Sequence, residues 1–166
     1  SDRDRVQLDA EGSIQYGMYY WDDNYPDSHV FAEGECLRKT FDPDFMLYHT
    51  MAVDEWGHMK GADSAEYANA VAAVGHLIAA RMPEWLEKGY QVVVTADHGM
   101  NNLGIHVGTE QAQREVALYI FSDKVENGRF EENYISQLNV APMVCRLLGI
   151  PAAEGMKQEM EIQLNK

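Results

Sequence analysis

Two short stretches carry residues able to hold a metal ion. The first is VDEWGHMKG, residues 53–61, in which Asp54 and His58 stand four apart. On a helix that spacing puts both side chains on one face. The second is TADHGMNNLGIHVG, residues 95–108, with Asp97, His98 and His106 set among Gly99, Gly104 and Gly108. Carboxylates and neutral imidazoles are good ligands for zinc and related divalent ions, and glycines let a backbone turn tightly around one. Each piece has a plainer reading. An Asp-x-x-x-His pair arises by accident on helix surfaces, Asp-His-Gly after a strand makes a turn, and single histidines sit in many loops and cores. Five ligand-type residues in two stretches favour the metal reading. Zinc binding should weaken as the pH falls, because a ligating imidazole must be neutral.

The elements that must position these residues read as alternating strands and helices. Residues 16–31 are rich in aromatics (Tyr16, Tyr19, Tyr20, Trp21, Tyr25, Phe31), interrupted by Asp22, Asp23, Asn24, Pro26 and Asp27. That mixture predicts loops and short strands. Glu33 to Phe41 reads as a helix closed by Asp42-Pro43, because the residue before proline avoids the helical region. Phe45 to Val53 reads as a strand. Asp63 and Glu66 form a capping-box pattern for a long helix, continued by alanines, Tyr67, Val71, Val74, Leu77 and Ile78 at helical spacing. Gly75 is expected to lie against another backbone. Pro83 should kink the helix or start a new turn, and Gly89 should terminate it. Gln91–Ala96 and Val116–Phe121 read as strands, and Ile135–Leu148 as a helix ended by Gly149. The fold class is therefore an α/β layered sandwich with a mostly parallel central sheet. In such sheets function collects beyond the carboxyl ends of strands, where both stretches lie.

A net charge of −14 argues against nucleic acid as a partner, since binding it needs clustered Lys and Arg. No apolar run reaches the roughly 18 residues of a membrane span. Cys36 and Cys145 show no CxxC spacing; they read as buried thiols, with a disulfide as the alternative.

The two stretches in this order, about forty residues apart, resemble the alkaline phosphatase superfamily, and within it the type I phosphodiesterases and nucleotide pyrophosphatases. REVALYIFSDKV followed by QLNVAPMVCRLLGIP is similar to that family's closing strand and helix. The resemblance covers roughly residues 43–151. It implies two divalent metal ions, zinc by preference. Asp54, His58 and His106 would hold one, with an open fourth position, and Asp97 and His98 would belong to the second. It implies a metal-dependent phosphoester hydrolase of the phosphodiesterase or nucleotide pyrophosphatase type, acting on a small phosphoester or nucleotide.

The family's other partners of the second metal, an early Asp after the first strand and a nucleophilic Thr or Ser at a helix start, have no counterpart before Asp54. Ser28, Thr50, Thr95 and Thr109 all lie at the wrong places in the pattern. The chain thus reads as a single domain that forms the carboxyl-terminal part of a larger catalytic domain: an aromatic-rich segment over 1–42, the metal-site core over 43–151 and a tail over 152–166. Surface left by the missing part would be open to self-association. Trp21 or a tyrosine stacked on a leaving group is the sharper reading of the aromatic segment, and core or interface packing the plainer one. Two other functions compete. DHGMNNLGIHVG with Glu115 downstream also resembles phosphoethanolamine transferases of the same superfamily, whereas phosphoglycerate mutases typically have Asn where Met100 stands. From a different class, the chain could be a non-catalytic metal-binding domain.

Overall fold

The computed structural model describes residues 6–129 and 134–156. They fall into two compact units. One runs to Pro83 and resumes over Ala96–Ala117; the other holds Glu84–Thr95 and the residues from Leu118 onward.

In the first unit, β1 (Val6–Leu8) and β2 (Tyr16–Met18) form an antiparallel hairpin. Tyr16 stacks on Phe41 at 3.8 Å between ring centres, whereas Trp21 is exposed. Helix α1 (Asp27–Phe41) begins six residues before the expected Glu33. Pro26 holds the extended cap position and Asp27 sits in the first turn, where a carboxylate complements the helix dipole. The helix stops at Asp42, which takes a left-handed φ of 46° just before Pro43. Phe31 and Leu37 are buried on its inner face, and the buried Arg38 guanidinium is paired with Glu35 at 2.8 Å.

The strand expected over Phe45–Val53 does not form. Residues 45–51 run without regular structure, and Ala52 already begins α2 (Ala52–Lys60). The segment bonds to α1 side chains instead of to a neighbouring strand. Tyr48 lays its ring on Phe31 and over Gly34, where a Cβ would clash with it, and donates its hydroxyl to Glu35 at 3.0 Å. Burial first, then the Glu35 charge, pushes the Tyr48 phenol pKa up. Asp27 Oδ1 accepts the Met51 and Ala52 N–H groups at 3.2 and 3.3 Å, so a residue from α1 caps α2.

Helix α3 (Ala65–Ala79) packs against α2 and α1. Its cap is Ser64 and not Asp63, which is exposed. Ser64 Oγ accepts the Tyr67 N–H at 3.1 Å and donates to Gly61 O at 2.8 Å. The tight turn at Gly61, φ 80°, shifts the helix start one residue past the expected position. Ser64→Ala should cost about 0.5–2 kcal/mol in a denaturant titration, while Asp63→Ala should stay within about 0.5 kcal/mol. Equal effects would count against this cap. Gly75 faces open space, with nothing within 4 Å of a Cβ built there, so the expected backbone contact is absent. Helix α4 (Met82–Glu87) starts a new turn with Pro83 in its first positions, where the missing N–H costs nothing.

In the second unit, β3 (Val92–Val94) pairs antiparallel with β4 (Tyr119–Phe121), Val93 opposite Ile120. Val93, Leu118, Ile120 and Ile135 pack on Met143 and Leu147 of α6 (Val140–Leu147). Burying Met143 and Leu147 contributes roughly 1.5–3 kcal/mol each. The helix expected from Ile135 begins later. Ser136 caps a 3₁₀ turn over Gln137–Asn139, and α6 starts at Val140. Pro142 explains this, because a proline is tolerated only in the first turn of a helix. Gly149, φ 73°, ends α6, and Lys124 Nζ donates to the terminal Leu147 carbonyl at 2.9 Å.

Helices and strands are both present, yet the described strands form two antiparallel pairs, and no parallel pairing occurs among the described residues. A parallel pair needs a crossover packed on the sheet. Between β3 and β4 the chain instead forms loops and a single helical turn, α5 (Gln111–Arg114). Both cysteines are free thiols; Cys36 is exposed, not buried, and Cys145 is half-buried. No helix among the described residues is long and apolar enough to cross a membrane. The tail assigned to 152–166 lies outside the described residues beyond 156.

Candidate metal centre

All five ligand-type residues belong to the first unit. Asp54 and His58 lie on one face of α2, four residues apart, with Asp54 in the first turn. Asp97, His98 and His106 belong to the loop that follows β3 in the chain. Buried Asn101 shapes that loop: its Oδ1 accepts the Leu103 and Ile105 N–H groups, each at 3.0 Å, and its Nδ2 donates to Glu110. Gln113, also buried, donates to the Ile105 and Val107 carbonyls on either side of His106.

The loop is stitched to α2 at two glycines. Gly61 lies against the Asn102 carbonyl, and the Ala62 N–H bonds Asn101 O at 3.1 Å. Gly104, φ 73°, approaches α2 so closely that a Cβ would stand 2.6 Å from His58 O. This approach lets His58 Nδ1 donate to Gly104 O at 2.8 Å. A carbonyl only accepts, so the proton on that nitrogen is assigned and Nε2 faces inward. Gly104→Ala should force a left-handed alanine and part the loop from α2. The expected cost is about 1–3 kcal/mol, with about a tenfold or greater loss of zinc affinity. Calorimetric titration checks this, and unchanged affinity would mean that the loop contact does not matter.

Asp54 is the hub. Its Oδ2 lies 3.3 Å from His58 Nε2, and its Oδ1 lies 3.9 Å from His98 Nε2 and 4.0 Å from His106 Nε2. The His98 and His106 rings stack at 3.9 Å, which aligns their Nε2 atoms toward Oδ1. Asp97 Oδ2 is 3.6 Å from His98 Nε2, on the more exposed side of the cluster. The tightest set is Asp54, His98 and His106, one ligand atom of each lying within 4.8 Å of the others. His58 faces the opposite oxygen of Asp54. The sequence reading grouped His58 with Asp54 and His106; in the structure His58 Nε2 lies nearest to Asp54, its ring is 4.9 Å from that of His106, and His98 stands beside them.

The residues fit a divalent cation. Asp54 Oδ1 is buried with no hydrogen-bond partner, a condition that costs about 1–3 kcal/mol or more for a charged group. With Nδ1–H given to Gly104 O, a neutral His58 would present its Nε2 lone pair 3.3 Å from Asp54 Oδ2, a pair that a shared cation would bridge. Two atoms each about 2.1 Å from one ion stand at most ~4.2 Å apart, close to the spacings seen, and nitrogen with oxygen donors is a zinc-type set.

Sequence reading overlooked several supports. Tyr67 and Met100 fill the space over Gly57, between Asp54 and His58 in the chain. Burial first, then the Asp54 charge, raises the Tyr67 phenol pKa. The Asn-Asn-x-Gly run around Asn101 carried a turn signal. Asp27 carried none, because its contacts are made to distant backbone, whereas Gln113 carried only the local Glu110-x-x-Gln113 capping pattern.

The family model for type I phosphodiesterase / nucleotide pyrophosphatase matches residues 14–141. The catalytic subunit of GPI ethanolamine phosphate transferase 3 from Mus musculus is 28% identical over 161 residues, covering 92% of this chain and 15% of its own length. The Homo sapiens protein of the same name is 29% identical over 124 residues, covering 73% of this chain and 11% of its own. GPI ethanolamine phosphate transferase 2 from Debaryomyces hansenii is 26% identical over 121 residues, covering 65% and 14%. The chain therefore spans 15% or less of these relatives' lengths. No solved structure matches. The match to the family model extends over most of the sequence, including every residue of the cluster, and the chain belongs to the type I phosphodiesterase / nucleotide pyrophosphatase family, within the alkaline phosphatase superfamily.

Proposed function

We propose that this chain is the metal-holding part of an enzyme that transfers a phosphoethanolamine group to an alcohol acceptor. The observation that carries a catalytic reading is the convergence of Asp54, His98 and His106 on a buried, unpartnered carboxylate oxygen. The names of the relatives favour transfer over the hydrolysis expected from sequence. The two reactions share donor and site and differ in whether an alcohol or water accepts the group.

In this reading Asp54, His98 and His106 hold one divalent ion, zinc by its donor set, and Asp97 takes part in a second. A bound ion supplies charge stabilisation to phosphoryl oxygens. The chain's own residues do the positioning: His58 is oriented by Gly104 O, and Asp27 and Ser64 fix the starts of the two helices behind the site. The nucleophile is assigned to sequence outside these 166 residues, as part of a larger catalytic domain.

The test uses the protein at its full natural length, zinc-loaded, with a phosphodiester of ethanolamine as donor and a primary alcohol as acceptor. The expected product is the phosphoethanolamine ester of the alcohol. Free phosphoethanolamine alone would return the site to a hydrolase.

A further inference from the structure

Residues 16–31 hold three aspartates and no lysine or arginine. An anion would be repelled from this segment, and a cation drawn to it. Its aromatic rings are arranged rather than scattered. Tyr20 and Tyr25 lie nearly parallel, with centres 5.8 Å apart and 7° between planes. His49 lies nearly parallel to Tyr20 on a 6.5 Å spacing and shares a 2.7 Å hydrogen bond with its hydroxyl. Tyrosine faces carry the negative side of the ring quadrupole.

Asp27 adds a second observation. The residue is only 8% exposed. Oδ1 is engaged by the two N–H groups at the start of α2, while Oδ2 accepts no hydrogen bond among the described residues. The wall also borders the metal centre. Asp27 holds the Met51 and Ala52 N–H groups at the start of α2, and the Tyr20 hydroxyl bonds His49 just before that helix. His49 stands three residues before α2, whose first turn holds Asp54.

We infer that Tyr20, Tyr25 and His49, together with Asp23 and Asp27, form a wall that binds the alkylammonium end of the phosphoester whose phosphoryl group lies at the metal centre. The inference rests on the phosphoethanolamine reading above and names the residues that would recognise the amine. Ring faces attract the ammonium charge, Asp27 Oδ2 is available as an acceptor for its N–H groups, and Asp23 contributes a longer-range field.

The experiment is a calorimetric titration of the zinc-loaded protein, at full natural length, with O-phosphoethanolamine and with n-propyl phosphate, its uncharged-tail counterpart. The amine should bind about tenfold more tightly, the sum of a cation–π contact and a carboxylate partner. Tyr20→Leu should bring that ratio close to one. Asp23→Asn, on an exposed residue whose change leaves the fold intact, should lower the ratio with zinc affinity retained. Equal zinc-dependent binding of both phosphates, or a ratio unchanged in Asp23→Asn and Tyr20→Leu, would overturn the amine wall and leave the phosphoester reading standing. Zinc-dependent binding of neither would overturn both.

Discussion

Replacing Asp54 by alanine should lower zinc affinity by more than about a hundredfold. Loss of a group that merely orients a ligand typically costs 10–100-fold, and Asp54 is the hub of the cluster. One of its oxygens faces His98 and His106 and the other faces His58, so its removal leaves the three imidazoles without a shared anion. The more telling variant is Asp54→Asn, which keeps the shape and removes the charge. It should lose zinc as the alanine variant does. Yet the metal-free protein should be no less stable, because the carboxylate it replaces has a buried oxygen, Oδ1, with no hydrogen-bond partner. Zinc titration and metal-free denaturant unfolding, done side by side, decide the matter. A variant that keeps its zinc, or one that unfolds markedly more easily without it, would make Asp54 a structural residue. Sites built for a ligand are commonly unfavourable when empty, and that sign separates the two roles.

What could be read ahead of the structure follows from how local each signal is. Asp54 and His58 share a face because four residues of helix impose it. The glycines of the 99–108 loop announced tight turns, and the structure uses Gly104 for the close approach to α2. The ends of α1 and α6 were legible in Asp42-Pro43 and Gly149 for the same reason. Long-range choices were not. FMLYHTMAV has the composition of a strand, but whether a strand forms depends on a partner, and here its bonds go to Asp27 and Glu35 of α1. The sheet direction depends on what the chain does between β3 and β4, where no crossover helix forms. Asp63 and Ser64 are both good capping residues, and only the turn at Gly61 selects the second. The approach of His98 to Asp54 and His106 belongs with these cases. Residue types identify candidate ligands, but which oxygen each imidazole faces depends on a loop folded by Asn101 and Gln113.

Turnover should separate the chain from the whole protein. The 166 residues alone, zinc-loaded, should not cleave bis(p-nitrophenyl) phosphate above background, while the protein at full natural length should turn over its donor in a metal-dependent way. The reason is the division of labour proposed above. The described cluster supplies acids and imidazoles for metal ions, whereas a covalent route through phosphorus needs an activated hydroxyl aligned with them. Ser28 lies in the first turn of α1, where it lines an open cleft beside Trp56 and Glu66; Thr95 and Thr109 flank the loop in the chain. Losing the nucleophile removes several orders of magnitude in rate at ~1.4 kcal/mol per tenfold. In the full-length protein Asp54→Ala and His98→Ala should each reduce turnover by about a thousandfold or more, since in the proposed reading both would hold the ion whose charge stabilises the phosphoryl oxygens. EDTA-sensitive cleavage by the 166 residues alone would place the nucleophile among Ser28, Thr50, Thr95 and Thr109. A full-length protein that binds zinc but turns over no phosphoester would make the centre a non-catalytic metal site.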